Sequence, residues 1–149
     1  MPNILDPRGI RNNNPGNIRL SETVWQGQQP FQSDPDFAVF STPLYGLRAL
    51  MKTLLTYYRR YDLDTVQSLI NRYAPPYENA TDFYTEQVAE ALEVDRTDKI
   101  NVTEKQTLIA LARAIVIHEN GNPPKGRPPD WYDPALYDQA ATVALQETI

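Results

Sequence analysis

The sequence predicts a mainly α fold in one domain, and three observations predict it. The chain has 149 residues, enough to enclose one hydrophobic core. From Thr42 onward, apolar residues recur at helical spacing in five separate stretches. Each stretch is bounded by capping residues or by proline and glycine, which stop a helix.

The first forty residues predict loop and short strands. Asn12-Asn13-Asn14-Pro15-Gly16-Asn17 is a dense turn cluster, because asparagine tolerates left-handed backbone angles and Pro-Gly favours a tight turn. Val24-Trp25 and Phe37-Ala38-Val39-Phe40 are strand-like and separated by polar turn residues, which predicts a small β-hairpin near the N-terminus.

The first helix follows. Thr42 is its expected cap and Pro43 suits its first position; Leu47, Leu50, Met51, Leu54, Leu55 and Tyr58 form its apolar face. A second runs from a cap at about Asp64 to Tyr73, with Val66, Leu69, Ile70 and Tyr73 inward, and Pro75-Pro76 ends it. A third begins near Thr81, with Val88, Ala89 and Leu92 facing the core. The fourth opens on Thr103-Glu104-Lys105-Gln106, which reads as a capping box. Leu108, Leu111, Ala112, Ile115 and Val116 follow at core spacing, and Gly121 and Pro123 end it. Further apolar residues on its other faces predict that this is the most buried helix of the fold. A last amphipathic stretch covers about Pro134 to Gln146.

Composition narrows the function classes. The net charge of −5 argues against nucleic acid as a partner, because phosphate neutralisation needs a basic face. The absence of cysteine excludes disulfides and thiol chemistry, and the single histidine, His118, argues against a histidine-based metal site. No metal or cofactor is expected. Residues 1–7 show neither a basic nor an apolar signal region, and no apolar run approaches membrane-spanning length. The expectation is a protein with no signal peptide and no membrane insertion.

Glu119, in Ile117-His118-Glu119-Asn120-Gly121, is the strongest candidate for chemistry. It ends a strongly apolar helix, where core meets surface. Partial burial and the negative end of the helix dipole both favour the protonated acid. A protonated carboxyl is what a departing glycosidic oxygen requires. The plain alternative is a solvated helix end. The amides of Asn12 to Asn17 suit sugar hydroxyls and N-acetyl groups, against the alternative of a purely structural turn. Trp25 and the tyrosines offer stacking faces, although each taken singly suits core packing better. Glu78, beside a proline-rigid loop, remains as a further polar candidate.

Together these segments resemble a known group. Gly9-Ile10-Arg11-Asn12-Asn13-Asn14-Pro15-Gly16-Asn17-Ile18-Arg19, Trp25-Gln26-Gly27, Phe37-Ala38-Val39-Phe40, Tyr45-Gly46-Leu47-Arg48-Ala49, the segment Ala74 to Tyr84 and His118-Glu119-Asn120-Gly121 are similar to phage and prophage virion structural proteins of the P5 type. A second resemblance supplies chemistry. Cell-wall glucosaminidases have an apolar helix ending in Glu-Ser-Gly, then an Asn-Asn-Leu-Phe-Gly-Ile string, then Trp-x-Gly, then an aromatic strand and a helix ending in tyrosine. Here the later parts come first and the Glu-bearing helix comes last.

That order implies a lysozyme-like domain, circularly permuted, which is physically easy where termini lie close together. The resemblance implies peptidoglycan cleavage, of lytic-transglycosylase or muramidase/glucosaminidase type, with Glu119 as general acid/base and Tyr84 as the helical tyrosine beside it. Asn13, Asn14 and Asn17 are implied to line the cleft, with Arg19, Trp25, Tyr45 and Glu78 completing the substrate-binding set. The implied partners are bacterial peptidoglycan and other virion proteins. The implied location is a phage virion, or host cytoplasm before delivery to the periplasm and cell wall. No second catalytic carboxylate stands out; Glu22, Asp36 and Glu78 are the candidates. The competing expectations are a virion or tail-associated glycan-binding protein without catalysis, and a wall enzyme delivered as a toxin or by a secretion system.

Overall fold

The computed structural model describes residues 5–75, 80–124 and 130–146. Glu78 and much of the proline-rich stretch after Pro124 lie outside the described residues. Six helices are present among those described: α1 (Arg8–Arg11), α2 (Pro43–Tyr61), α3 (Val66–Tyr73), α4 (Thr81–Leu92), α5 (Lys105–Asn120) and α6 (Pro134–Gln146). The fold is mainly α, as the apolar spacing predicts. The single turn α1 falls in the expected loop, because four residues are too few to show a helical period.

The helix starts follow local chemistry, in places one residue away from the expected position. Thr42 and Pro43 begin α2, but the Thr42 side chain makes no capping bond. The cap of α3 is Thr65 rather than Asp64, and it forms a reciprocal box with Ser68. The box expected at Thr103 does not form. The Thr103 hydroxyl donates instead to Asn101 Oδ1 at 2.5 Å, and Glu104 becomes the cap residue. Its carboxylate accepts from the Thr107 hydroxyl at 3.2 Å.

The N-terminal hairpin is also corrected. Among the described residues the region holds only isolated antiparallel bridges, Arg19 to Phe37 and Gln28 to Phe40. Phe37–Phe40 therefore pairs with residues 19 and 28, and Val24 is 84% exposed. Side chains take the backbone groups that a continuous ladder would use. Asn14 Nδ2 donates to the carbonyls of Ile18 and Ala38, and Gln32 holds both the N–H and the carbonyl of Val39.

The main core joins all six helices, and a smaller cluster of Ala38, Phe40 and Ala49 packs with Ile18, Trp25 and Tyr45. Helix α5 contacts α1, α2, α4 and α6, yet it leaves Gln106 and Arg113 exposed on one face. Helix α2 is the more enclosed, because every residue from Gly46 to Met51 is buried. A continuous buried run needs cover on all sides, and α6 and the N-terminal loop supply it. At Gly46 the loop comes so close that a Cβ would lie 1.8 Å from the Asn13 carbonyl oxygen. The helix thus fixes the loop that carries the candidate site.

Candidate functional site

The Asn12–Asn17 loop passes from α1 to the first bridge. Asn13 and Asn17 both take left-handed angles, with φ of 52° and 51°, a conformation that asparagine accepts more readily than bulkier residues. Asn14, between them, is fully buried. Its amide holds Ile18 N–H at 3.0 Å as well as the two carbonyls already named. Asn13 Nδ2 donates to the Phe40 carbonyl at 3.1 Å. Two of the three expected cleft asparagines are thereby spent on the loop itself, and Asn14 has no surface to offer a sugar.

Asn17 points the other way. Its Nδ2 donates to Glu119 Oε1 at 3.0 Å, across 102 positions of sequence. The Tyr84 hydroxyl donates to Glu119 Oε2 at 2.9 Å. The carboxylate at the end of α5 is therefore held by one group from the N-terminal loop and one from α4. Asn120, the next residue, ties the same ends together. Its Nδ2 donates to the Pro15 carbonyl at 2.8 Å and the Val116 carbonyl at 2.9 Å. Gly9 makes the approach possible, since a Cβ there would lie 2.6 Å from Asn120 Oδ1 and 2.7 Å from Asn17 Oδ1. The Trp131 indole N–H caps the end of α5 through the Gly121 carbonyl at 2.8 Å.

Aromatic packing fixes the partner hydroxyl. Tyr84 is fully buried and stacks on His118, with ring centroids 3.5 Å apart; His118 Nδ1 meets Gln87 Oε1. Burial holds the His118 imidazole below its ordinary pKa, against an opposing pull from the Glu119 charge. Burial, and after it the charge of Glu119, pushes the Tyr84 hydroxyl well above the ordinary tyrosine range, and the same two causes act on Tyr73. Both phenols stay protonated. Tyr73 donates to the Gly16 carbonyl, bracing the loop from the side of α3.

Glu119 lines a cavity of about 360 Å³ whose wall includes Asn17, Arg19, Phe37, Thr53, Tyr57 and Tyr73. Among the described lining residues it is the one carboxylate, and Arg19 the one cation. Sequence reasoning missed Phe37, Thr53, Tyr57 and Tyr73 as site residues. Tyr57 and Tyr73 carried a signal only as tyrosines with a stacking face, Tyr73 also as a core position of α3, and Thr53 carried none. Trp25 and Tyr45 pack into the smaller core and do not line this cavity. Glu22 is exposed. Asp36 is turned to Arg8, at 3.1 Å. Asp34, buried, accepts from Arg8, Asn12 and two backbone N–H groups; the Arg8 guanidinium foremost holds its carboxyl well below the ordinary aspartate range. Neither aspartate is among the lining residues.

Fold and site together define a helical protein with one carboxylate set between an amide and a phenol on a cavity wall. No protein-family model matches the chain. It is 38% identical over 120 residues to Protein P5 of Pseudoalteromonas phage PM2, covering 78% of this chain and 73% of that protein. The chain belongs to the family of this phage Protein P5.

Proposed function

We propose that the protein cleaves the glycan strands of bacterial peptidoglycan without water, as a lytic transglycosylase with Glu119 as the acid and then the base. The observation that carries this reading is the Asn17–Glu119–Tyr84 arrangement, in which Asn17 and Glu119 line the cavity and the buried Tyr84 holds the carboxylate from behind. A hydroxyl both donates and accepts, so Tyr84 satisfies Glu119 whether the carboxyl is ionised or protonated. Asn17 donates to the other oxygen in either state. The carboxyl therefore keeps a partner on each oxygen as it loses a proton and regains it.

In the proposed reaction, protonated Glu119 gives its proton to the glycosidic oxygen as the bond from the muramic C1 breaks and the oxygen keeps the bonding pair. The carboxylate then takes the proton of that sugar's own C6 hydroxyl, whose oxygen bonds to C1. The products are a strand with a free hydroxyl and a 1,6-anhydro end, and Glu119 is protonated again. The presence of one carboxylate among the described lining residues supports this over hydrolysis, which wants a second group to place water. The arrangement also supports a lysozyme-like fold in permuted order, because the N-terminal asparagine loop and the last apolar helix meet at Glu119. The proposed location is a phage particle, or the host before delivery to the wall.

A second reading, a virion protein that binds glycan without cutting it, draws on membership of the Protein P5 family and needs only the cavity. Mass spectrometry of purified sacculi after incubation separates the two. The proposal expects soluble fragments with anhydro ends, one water lighter than their reducing counterparts. Reducing ends would replace transglycosylation by hydrolysis, and intact sacculi would favour the binding protein.

A further inference from the structure

The net charge of −5 sets a problem for the proposed substrate, because peptidoglycan also carries carboxylates and like charges repel. Attraction has to come from a local cation. Most of the basic side chains that pair in this fold are consumed by acids. Arg8 is held by Asp34 and Asp36 at 2.5 and 3.1 Å, Arg96 by Asp82 and Glu86 at 2.7 and 3.0 Å, Lys105 by Asp138 at 2.8 Å, and Arg113 by Asp130. Arg72 lies over the rings of Tyr57 and Tyr61.

Arg19 differs from these. It is exposed, makes no ion pair among the described residues, and stands on the wall of the cavity that holds Glu119. Its guanidinium lies 5.3 Å from the centre of the Phe37 ring, which has the Arg8 guanidinium 4.6 Å from its centre as well. Its backbone is fixed. Arg19 bridges Phe37, Leu20 N–H donates to the Asp36 carbonyl at 2.8 Å and Ala38 N–H to the Ile18 carbonyl at 3.0 Å. Asn17, two residues earlier and so about 7 Å back along an extended chain, grips Glu119. A guanidinium has five donors in a planar fork that matches a carboxylate.

Resting on the reading of the cavity as a glycan site, we infer that Arg19 is an anion subsite that selects strands carrying carboxylates over neutral amino-sugar polymers. Two sources supply that chemistry, the stem-peptide carboxylates of intact strands and the lactyl carboxylate of strands stripped of peptide. The subsite makes the cleft select its substrate by charge, against the sign of the protein's own net charge. An exposed ion pair is screened by salt, so the preference weakens as ionic strength rises.

The test measures binding in a Glu119→Gln background, where cleavage does not intervene, together with cleavage by the wild type. The ligands are soluble intact strands, amidase-stripped strands and N-acetylglucosamine oligomers. The inference expects Arg19→Gln to weaken binding of at least one carboxylate-bearing ligand about tenfold, some 1.4 kcal/mol, and to leave the neutral oligomers unchanged. The arm that responds names the source. Arg19→Lys should recover part of the loss, and Arg59→Gln, an equal charge change on the exposed end of α2, should recover the parent's binding. Equal affinity for all three ligands before substitution, or unchanged binding in Arg19→Gln, overturns the subsite. Charge-selective binding without any cleavage by the wild type overturns the catalytic reading and leaves the subsite standing.

Discussion

Replacing Gly9 by alanine sets two effects of opposite sign against each other. Gly9 lies within α1, and alanine inside a helix is ordinarily favoured over glycine by roughly 0.5–1 kcal/mol. The added Cβ, however, would sit 2.6 Å from Asn120 Oδ1, 2.7 Å from Asn17 Oδ1 and 2.9 Å from the Asn14 carbonyl oxygen. Overpacking of this kind costs about 1–3 kcal/mol. The contacts are with groups that cannot swing away freely. Asn120 is tied to Pro15 and Val116, and Asn17 to Glu119. The strain wins, with a net loss of roughly 1–2 kcal/mol, which for a chain of this length lowers Tm by about 2–8 °C. Thermal unfolding followed by circular dichroism reads the loss, and fragment release from sacculi should fall with it as Asn17 is pushed off Glu119. A Gly9→Ala protein as stable as the wild type, with undiminished release, refutes the clamp between α1, the asparagine loop and α5.

Tyr84→Phe keeps the ring stacked on His118 and removes one hydrogen bond to a charged group, worth roughly 1.5–3 kcal/mol. Turnover on sacculi should fall about tenfold or more, with far-ultraviolet circular dichroism unchanged. Asn14→Ala should act on stability rather than on glycan affinity, costing roughly 2–3 kcal/mol in urea unfolding because it orphans the part-buried Ile18 N–H and the buried Ala38 carbonyl. Weakened glycan binding at unchanged stability would return Asn14 to the cleft. Burial lowers the folded-state pKa of His118 below its ordinary 6.5, so the folded state resists protonation more than the unfolded chain. The stability tied to neutral His118 is complete above about pH 6.5 and is lost as pH falls from there through the depressed value. His118→Gln should flatten this part of the profile of Tm against pH.

The helices after Thr42 are legible because each buries one face, and burial writes a period into the sequence. Cap positions are less so, since Thr65 and Thr103 are equally good cap residues, and competing local bonds decide that Thr65 caps with Ser68 while Thr103 turns to Asn101. The asparagine string marks the site region, but the string cannot tell Asn14, which staples the loop, from Asn17, which reaches Glu119. That difference rests on which residue takes the left-handed angle beside α5. Glu119 stood out by its place at the end of an apolar helix and again through family resemblance, Tyr84 through the resemblance. Thr53, Tyr57 and Tyr73 had no such mark, because their place on the cavity wall depends on how α2 and α3 pack.

The central claim is that the Glu119 carboxyl carries the proton for bond cleavage, and Glu119→Gln tests it most directly. Glutamine preserves shape and hydrogen-bonding reach but cannot donate that proton. The measurement is the rate at which anhydro-ended fragments form from purified sacculi, on wild-type and variant protein of equal Tm. A loss of about 10²–10⁴-fold is expected, the usual contribution of general acid–base catalysis, with glycan binding retained. A folded Glu119→Gln protein that releases fragments at the wild-type rate contradicts the account.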